Sequence, residues 1–134
     1  MRKYLLDTHT LIWAILQSNK LSKPVLKILQ DNNSQLFASA VSFWEMAIKH
    51  GKGKMNWENL QIQELSNYCK ILGIKQIPLS PEDAINYSSF PFAENHKDPF
   101  DRMLIYQCIA NDYVLVSKDA KMDVYKANGL QCIW

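Results

Sequence analysis

Two apolar triplets, Tyr4-Leu5-Leu6 and Val114-Leu115-Val116, lie far apart in the chain, and each runs out into an aspartate beside a hydroxyl residue: Asp7 with Thr8, and Asp119 with Ser117. Runs so short and so apolar fit central strands of a parallel sheet, which are buried on both faces. The rest of the chain supports this. Strand patterns over 4–6, 36–38, Ile74–Ile77, Val114–Val116 and Gln131–Ile133 alternate with helical patterns over 10–17, 24–31, 41–50, 61–72, 81–88, Pro99–Asn111 and Ala120–Asn128. Ser22 and Ser80 stand as N-caps ahead of Pro24 and Pro81, while Gly51, Gly73 and Gly129 stop other helices. Strands and helices at this spacing predict an α/β fold, a mainly parallel sheet covered on both faces. The functional crevice of such a sheet lies outside the carboxyl ends of its strands. Asp7 and Asp119 both fall there.

Composition sets the outer limits. A chain of 134 residues holds one sizeable core, so we expect a single domain over 1–134. The net charge of +2 permits a nucleic-acid partner only through a local basic surface. Cys69, Cys108 and Cys132 are widely spaced and odd in number, which fits reduced thiols rather than a disulfide framework. The basic start meets Asp7 after only Tyr4, Leu5 and Leu6, so it lacks the apolar region of a signal peptide, and no run is long enough to span a membrane. The expectation is a cytoplasmic protein without membrane attachment.

Of the acidic residues, Asp31, Glu58, Glu64, Glu82, Asp83, Glu94 and Asp112 fall in polar turns or on solvated helix faces and are expected to be surface charges. The other six need separate treatment. Asp7 and Asp119 each serve either as the N-cap of the next helix or as a crevice acid. Asp123, one turn beyond Asp119, either approaches the same place or is a solvated helix charge. Within HKDPFDRML (96–104), Asp98 precedes Pro99 and is placed to cap, with Asp101 at the third helical position as in a capping box. Asp98 leads to Arg102 four residues on, an ion-pair spacing. Asp101 leads to Ile105 and Cys108, an apolar stripe. A carboxylate heading an apolar stripe needs a cation or strong hydrogen bonds. Glu45 shares a mostly apolar face with Val41 and Ile48, the alternative being a pair with Lys49. Asp7, Glu45, Asp101 and Asp119 therefore form a candidate all-oxygen cluster. Such hard ligands select Mg²⁺ or Mn²⁺, and the matching chemistry is metal-assisted phosphodiester hydrolysis.

Taken in order, LLDTHTLIW (5–13), SAVSFWEMAIKHGKGKM (39–55), HKDPFDRMLIYQCIA (96–110), VLVSKDAKMDVY (114–125) and the terminal CIW resemble the PIN-domain ribonucleases, in particular VapC-type toxins of bacterial toxin–antitoxin pairs. The resemblance implies a three-layer α/β/α sandwich, Mg²⁺-dependent RNA endonuclease activity, a homodimer, and inhibition by a small antitoxin protein. Carried over motif by motif, it implies Asp7, Glu45, Asp101 and Asp119 as catalytic metal ligands. Asp98 becomes an accessory acid, and the hydroxyls of Thr8 and Ser117 order the site. His50-Gly51-Lys52-Gly53 departs from the family, whose loop is usually more apolar.

Lys49, His50, Lys52 and Lys54 make a local basic patch, and Arg102, Lys118 and Lys121 flank the acids, so Lys49, Lys52, Lys54, Arg102 and Lys118 are candidate RNA contacts. His9 and His96 lack metal-ligand spacing and are assigned hydrogen-bonding or structural roles. Trp13, Trp44 and Tyr106 sit where packing, in the core or between protomers, is expected over base stacking. Two rival functions remain. A haloacid-dehalogenase-like phosphatase needs a second aspartate two residues after the first, where this chain has Asp7-Thr8-His9. A non-catalytic RNA- or protein-binding module would keep its effect without the acids.

Overall fold

A computed structural model describes residues 2–53 and 60–134. Five strands, β1 (Lys3–Leu6), β2 (Gln35–Ser39), β3 (Ile74–Ile77), β4 (Val114–Val116) and β5 (Gln131–Ile133), form one sheet in the order β3-β2-β1-β4-β5, with every neighbouring pair parallel. β1 is central, and Leu6 lies opposite Val116 of β4. The chain builds outward from β1 to β3, then returns to add β4 on the other side. The order therefore reverses between β1 and β4, which makes their carboxyl ends the crevice of the sheet.

Side-chain alternation along the strands produces two cores. Tyr4, Leu6, Leu36, Ala38, Val114 and Val116 face one layer, where α1 (Thr8–Leu16), α2 (Lys23–Gln30) and α4 (Leu65–Ile71) supply Leu11, Val25, Leu65 and Cys69. Leu5 and Leu115 face the other, against Met103, Leu104, Ile105 and Cys108 of α6 (Pro99–Asn111). Helix α3 (Ala40–Gly51) serves both cores, sending Met46 to the first and Val41 to the second. Helix α5 (Pro81–Asn86) leads into a 3₁₀ turn, Tyr87–Ser89. The result is a three-layer α/β/α sandwich. Cys69, Cys108 and Cys132 are free thiols. No helix among the described residues is long and apolar enough to cross a membrane.

Several elements depart from the sequence expectation. The segment 61–72 is a short 3₁₀ turn, Ile62–Glu64, followed by α4. Ala120–Asn128 is a 3₁₀ helix throughout. Met122 and Tyr125 are its buried residues, and at three residues per turn their spacing of three places both on one edge. Asp83 is not simply a surface charge. It closes a capping box with Ser80 and accepts a bond from the buried Gln107 amide at 3.1 Å. The capping box expected at Asp98 does not close from the Asp101 side, because Asp101 turns to His96 instead. Nor does Arg102 pair with Asp98. Its guanidinium donates to the carbonyls of His96 and Ala93 and lies over the Phe92 ring.

Candidate metal centre

β1 ends at Leu6, and Asp7 follows as the N-cap of α1, with Oδ1 accepting from Thr10 N at 2.8 Å. Asp7 N donates to the Val116 carbonyl of β4, as does the Thr10 hydroxyl, so the cap is fastened to the neighbouring strand. After β4, Ser117 is buried and its hydroxyl accepts from Asp119 N at 3.1 Å. Asp119 caps the 3₁₀ helix by accepting from Lys121 N at 2.9 Å. Cap and crevice acid are alternatives on the sequence alone, yet both aspartates combine them. They line one open recess at the sheet's crevice, together with His9, Trp13 and Lys118.

Glu45 and Asp101 come from the helices that cover this end of the sheet. Glu45 is 3% exposed, and its Oε1 accepts the Thr8 hydroxyl at 2.6 Å. Its Oε2 meets Lys49 Nζ at 2.5 Å, so Glu45 is at once buried and ion-paired. The Asp98 side chain accepts from Phe100 N and Asp101 N at the start of α6. Asp101, one turn inward, lies half-buried with Oδ2 3.4 Å from His96 Nε2. Burial pushes its carboxyl up to about 6; the Asp98 and Glu45 charges push the same way, and the His96 contact pulls it back. Glu45 and Asp101 thus feel each other's charge, and Thr8, the residue beside Asp7, holds Glu45 through its hydroxyl.

Among the described residues, no three His, Cys, Asp or Glu side chains converge into a ready ligand set. Each acid is instead held by protein donors. Asp7 and Asp119 each commit one carboxylate oxygen to a backbone N–H, Asp101 sets Oδ2 against His96 Nε2, and the other oxygen of each has no protein donor among the described residues. No buried side-chain oxygen among those residues lacks a partner, so these three oxygens reach solvent. The donor set is thus fixed at one oxygen and open at the other.

The remaining candidates divide. Asp123 is exposed and pairs with Lys126 at 3.3 Å, although it borders a second recess shared with Ser117 and Asp119. Lys118 overhangs the acidic recess, with Nζ 5.9 Å from the Trp13 ring centre. Lys49 is held by Glu45, Arg102 is turned inward, and Lys52 is exposed at the end of α3. Lys54 lies outside the described residues. Trp13 packs against Trp134 and His9. Trp44 does not enter the core. It is 57% exposed and meets Phe100 edge-on. Tyr106 packs on Phe90 and bonds Asn86. Sequence reasoning missed the link from His96 to Tyr125, residues 29 positions apart with no shared motif.

A parallel sheet with aspartates at the carboxyl ends of the two strands beside its switch point defines a class of acidic-site α/β proteins. Residues 4–128 match the family model of the PIN domain, and the chain belongs to that family. A search of curated proteins finds no match. Among solved structures, the chain is similar to VapBC2 from Rickettsia felis bound to a DNA fragment from their promoter. Identity is 18%, the TM-score is 0.66, and 98% of this chain and 97% of that one are covered. It is also similar to VapBC-1 from nontypeable Haemophilus influenzae, at 18% identity and a TM-score of 0.63, covering 98% of this chain and 96% of that one. At that identity the likeness is one of fold.

Proposed function

We propose that this protein is a divalent-metal-dependent RNA endonuclease acting as the VapC-type toxin of a toxin–antitoxin pair. One observation carries the reading: Asp7, Asp101 and Asp119 each have one carboxylate oxygen against a protein group and a second oxygen with no protein donor among the described residues. Such oxygens suit a hard cation that keeps part of its water shell and accepts phosphate oxygens, so Mg²⁺ or Mn²⁺ fits the residues present. Asp7, Asp101 and Asp119 would hold it, with Glu45 beside them. A bound cation of this kind supplies an activated water and neutralises charge developing on the phosphate and the leaving oxygen.

The chain's own groups do the rest. Thr8 and Lys49 fix the Glu45 carboxylate, Ser117 fixes the turn that carries Asp119, and the Asp7 cap fixes its carboxylate to the end of β1. Lys118 at the recess offers a positive charge to a phosphate. Membership of the PIN family and the resemblance of the motifs to VapC toxins support a nuclease, an antitoxin partner, a homodimer and cytoplasmic action. The two similar solved structures are both of VapBC proteins.

The test is direct. Purified protein is expected to cleave RNA only with Mg²⁺ or Mn²⁺, and Asp7→Asn and Asp101→Asn to abolish cleavage while the protein stays folded. Wild-type cleavage by both variants would remove the metal-site reading, whereas absence of cleavage by the wild-type protein with either metal would favour a non-catalytic module.

A further inference from the structure

We infer that His96, held by Tyr125, is a positioning residue for Asp101, and that its Nε2–H fixes which carboxylate oxygen remains open. The inference rests on Asp101 belonging to a metal centre, as proposed above. His96 and Tyr125 are both buried, at 5% and 0% exposure. Tyr125 Oη accepts from Ala93 N at 3.2 Å and lies 2.8 Å from His96 Nδ1.

A hydroxyl has one proton to give. Buried here, that proton needs an acceptor, and the neighbouring His96 Nδ1 is placed to take it; leaving it unpaired is costly. Nδ1 is therefore the unprotonated nitrogen, which leaves the proton on Nε2, facing Asp101 Oδ2 at 3.4 Å. The distance is long for a hydrogen bond. Such contacts at reactive sites commonly tighten once the site is loaded. The chain of bonds runs from Ala93 N through Tyr125 and His96 to Asp101, with each donor pointing toward the acid. Arg102 steadies the same segment by donating to the His96 carbonyl. Outer groups that orient ligands in this way change metal affinity by about 10–100-fold when removed.

Two measurements test this. The first is the ring ¹⁵N spectrum of the metal-free protein, which needs assignment of only three histidines, His9, His50 and His96. The expected result is His96 protonated on Nε2 in the wild type and a mixed tautomer in Tyr125→Phe. A wild-type His96 protonated on Nδ1 overturns the inference whatever the metal does. The second is Mn²⁺ titration of metal-free wild type, His96→Leu, His96→Gln and Tyr125→Phe, with melting temperatures alongside. His96→Leu is expected to weaken binding by about 10–100-fold. His96→Gln, whose amide can still donate to Asp101, should bind within a few-fold of wild type. Tyr125→Phe should fall between them, and it serves if His96→Leu fails to fold. Equal binding by all four overturns the positioning role alone. No binding by wild type overturns the metal centre, and the positioning role with it.

Discussion

The Thr8 hydroxyl sits 2.6 Å from Glu45 Oε1 and 3.0 Å from Ser42 Oγ, so it bridges α1 and α3 at the point where a buried carboxylate needs a donor. Its proton goes to the charged oxygen, and Ser42 completes the cluster. Thr8→Val keeps the shape and removes the donor. Stability is expected to fall by about 1–3 kcal/mol, because a buried charged acceptor loses a partner. Cleavage should fall by about 10–100-fold if Glu45 must be oriented, and Thr8→Ser should recover most of it. A variant that loses stability but cleaves normally would reduce Thr8 to packing.

Asp101 gives a pH signature. Its folded pKa of about 6 lies above its ordinary value of 3.8, so the folded state disfavours the charged form. Near pH 3, well below its ordinary value, the acid is protonated in both states and contributes nothing. As pH rises toward 6 the unfolded chain ionises first, and stability drains away until the folded acid ionises too. Asp101→Asn should therefore match wild type near pH 3 and exceed it by about 1–3 kcal/mol at pH 7 in metal-free buffer. Urea melts at the two pH values measure this. An Asn variant weaker than wild type at pH 7 would mean that His96 and the helix start already satisfy the charge.

Asp98 should be a matter of stability. Its side chain accepts from two backbone amides at the start of α6 and is otherwise exposed. Asp98→Ala is expected to cost about 0.5–2 kcal/mol, while Asp98→Ser keeps the cap and removes the charge. If Asp98→Ser folds like wild type and cleaves far more slowly, the residue acts through its charge as an accessory acid.

Gln107 provides a control remote from the acids. Its amide joins Ser39, the Pro78 carbonyl and Asp83 inside the protein. Gln107→Leu strands these partners and should cost about 1–3 kcal/mol. Cleavage per folded molecule should be unchanged, as followed by activity normalised to the folded fraction. A selective loss of activity would show coupling between this network and the acids.

The strands were legible because short apolar runs set between helical patterns have little choice but to become buried strands, and the α/β class followed. Pro99 after Asp98 marked the start of α6, and Ser22 and Ser80 marked theirs. Strand order was not legible, since the pairing of Leu6 with Val116 depends on contacts between remote segments. The Lys49 spacing and the apolar face of Glu45 pointed to opposite environments, and the fold satisfies both through one buried oxygen and one at the rim. Arg102 misled because spacing of four allows a pair with Asp98 but cannot reveal the closer carbonyls of His96 and Ala93. The 3₁₀ character of Ala120–Asn128 was hidden in a two-residue signal, Met122 and Tyr125, too short to separate a period of three from 3.6. The His96–Tyr125 contact had no sequence signal.

The central pairing of β1 with β4 also has a consequence for timing. Asp7 emerges early in synthesis, yet its neighbouring strand and Asp119 emerge late, and Tyr4 waits for Val114. Folding that depends on so distant a partner is slow to nucleate. A partly made chain on the ribosome holds Asp7 and Glu45 but has no second wall to the crevice, so the growing chain carries half a site and no whole one. For a protein proposed to cut RNA, that topology delays the hazard until the β4 segment has been translated and docked, which leaves time for a partner to be made.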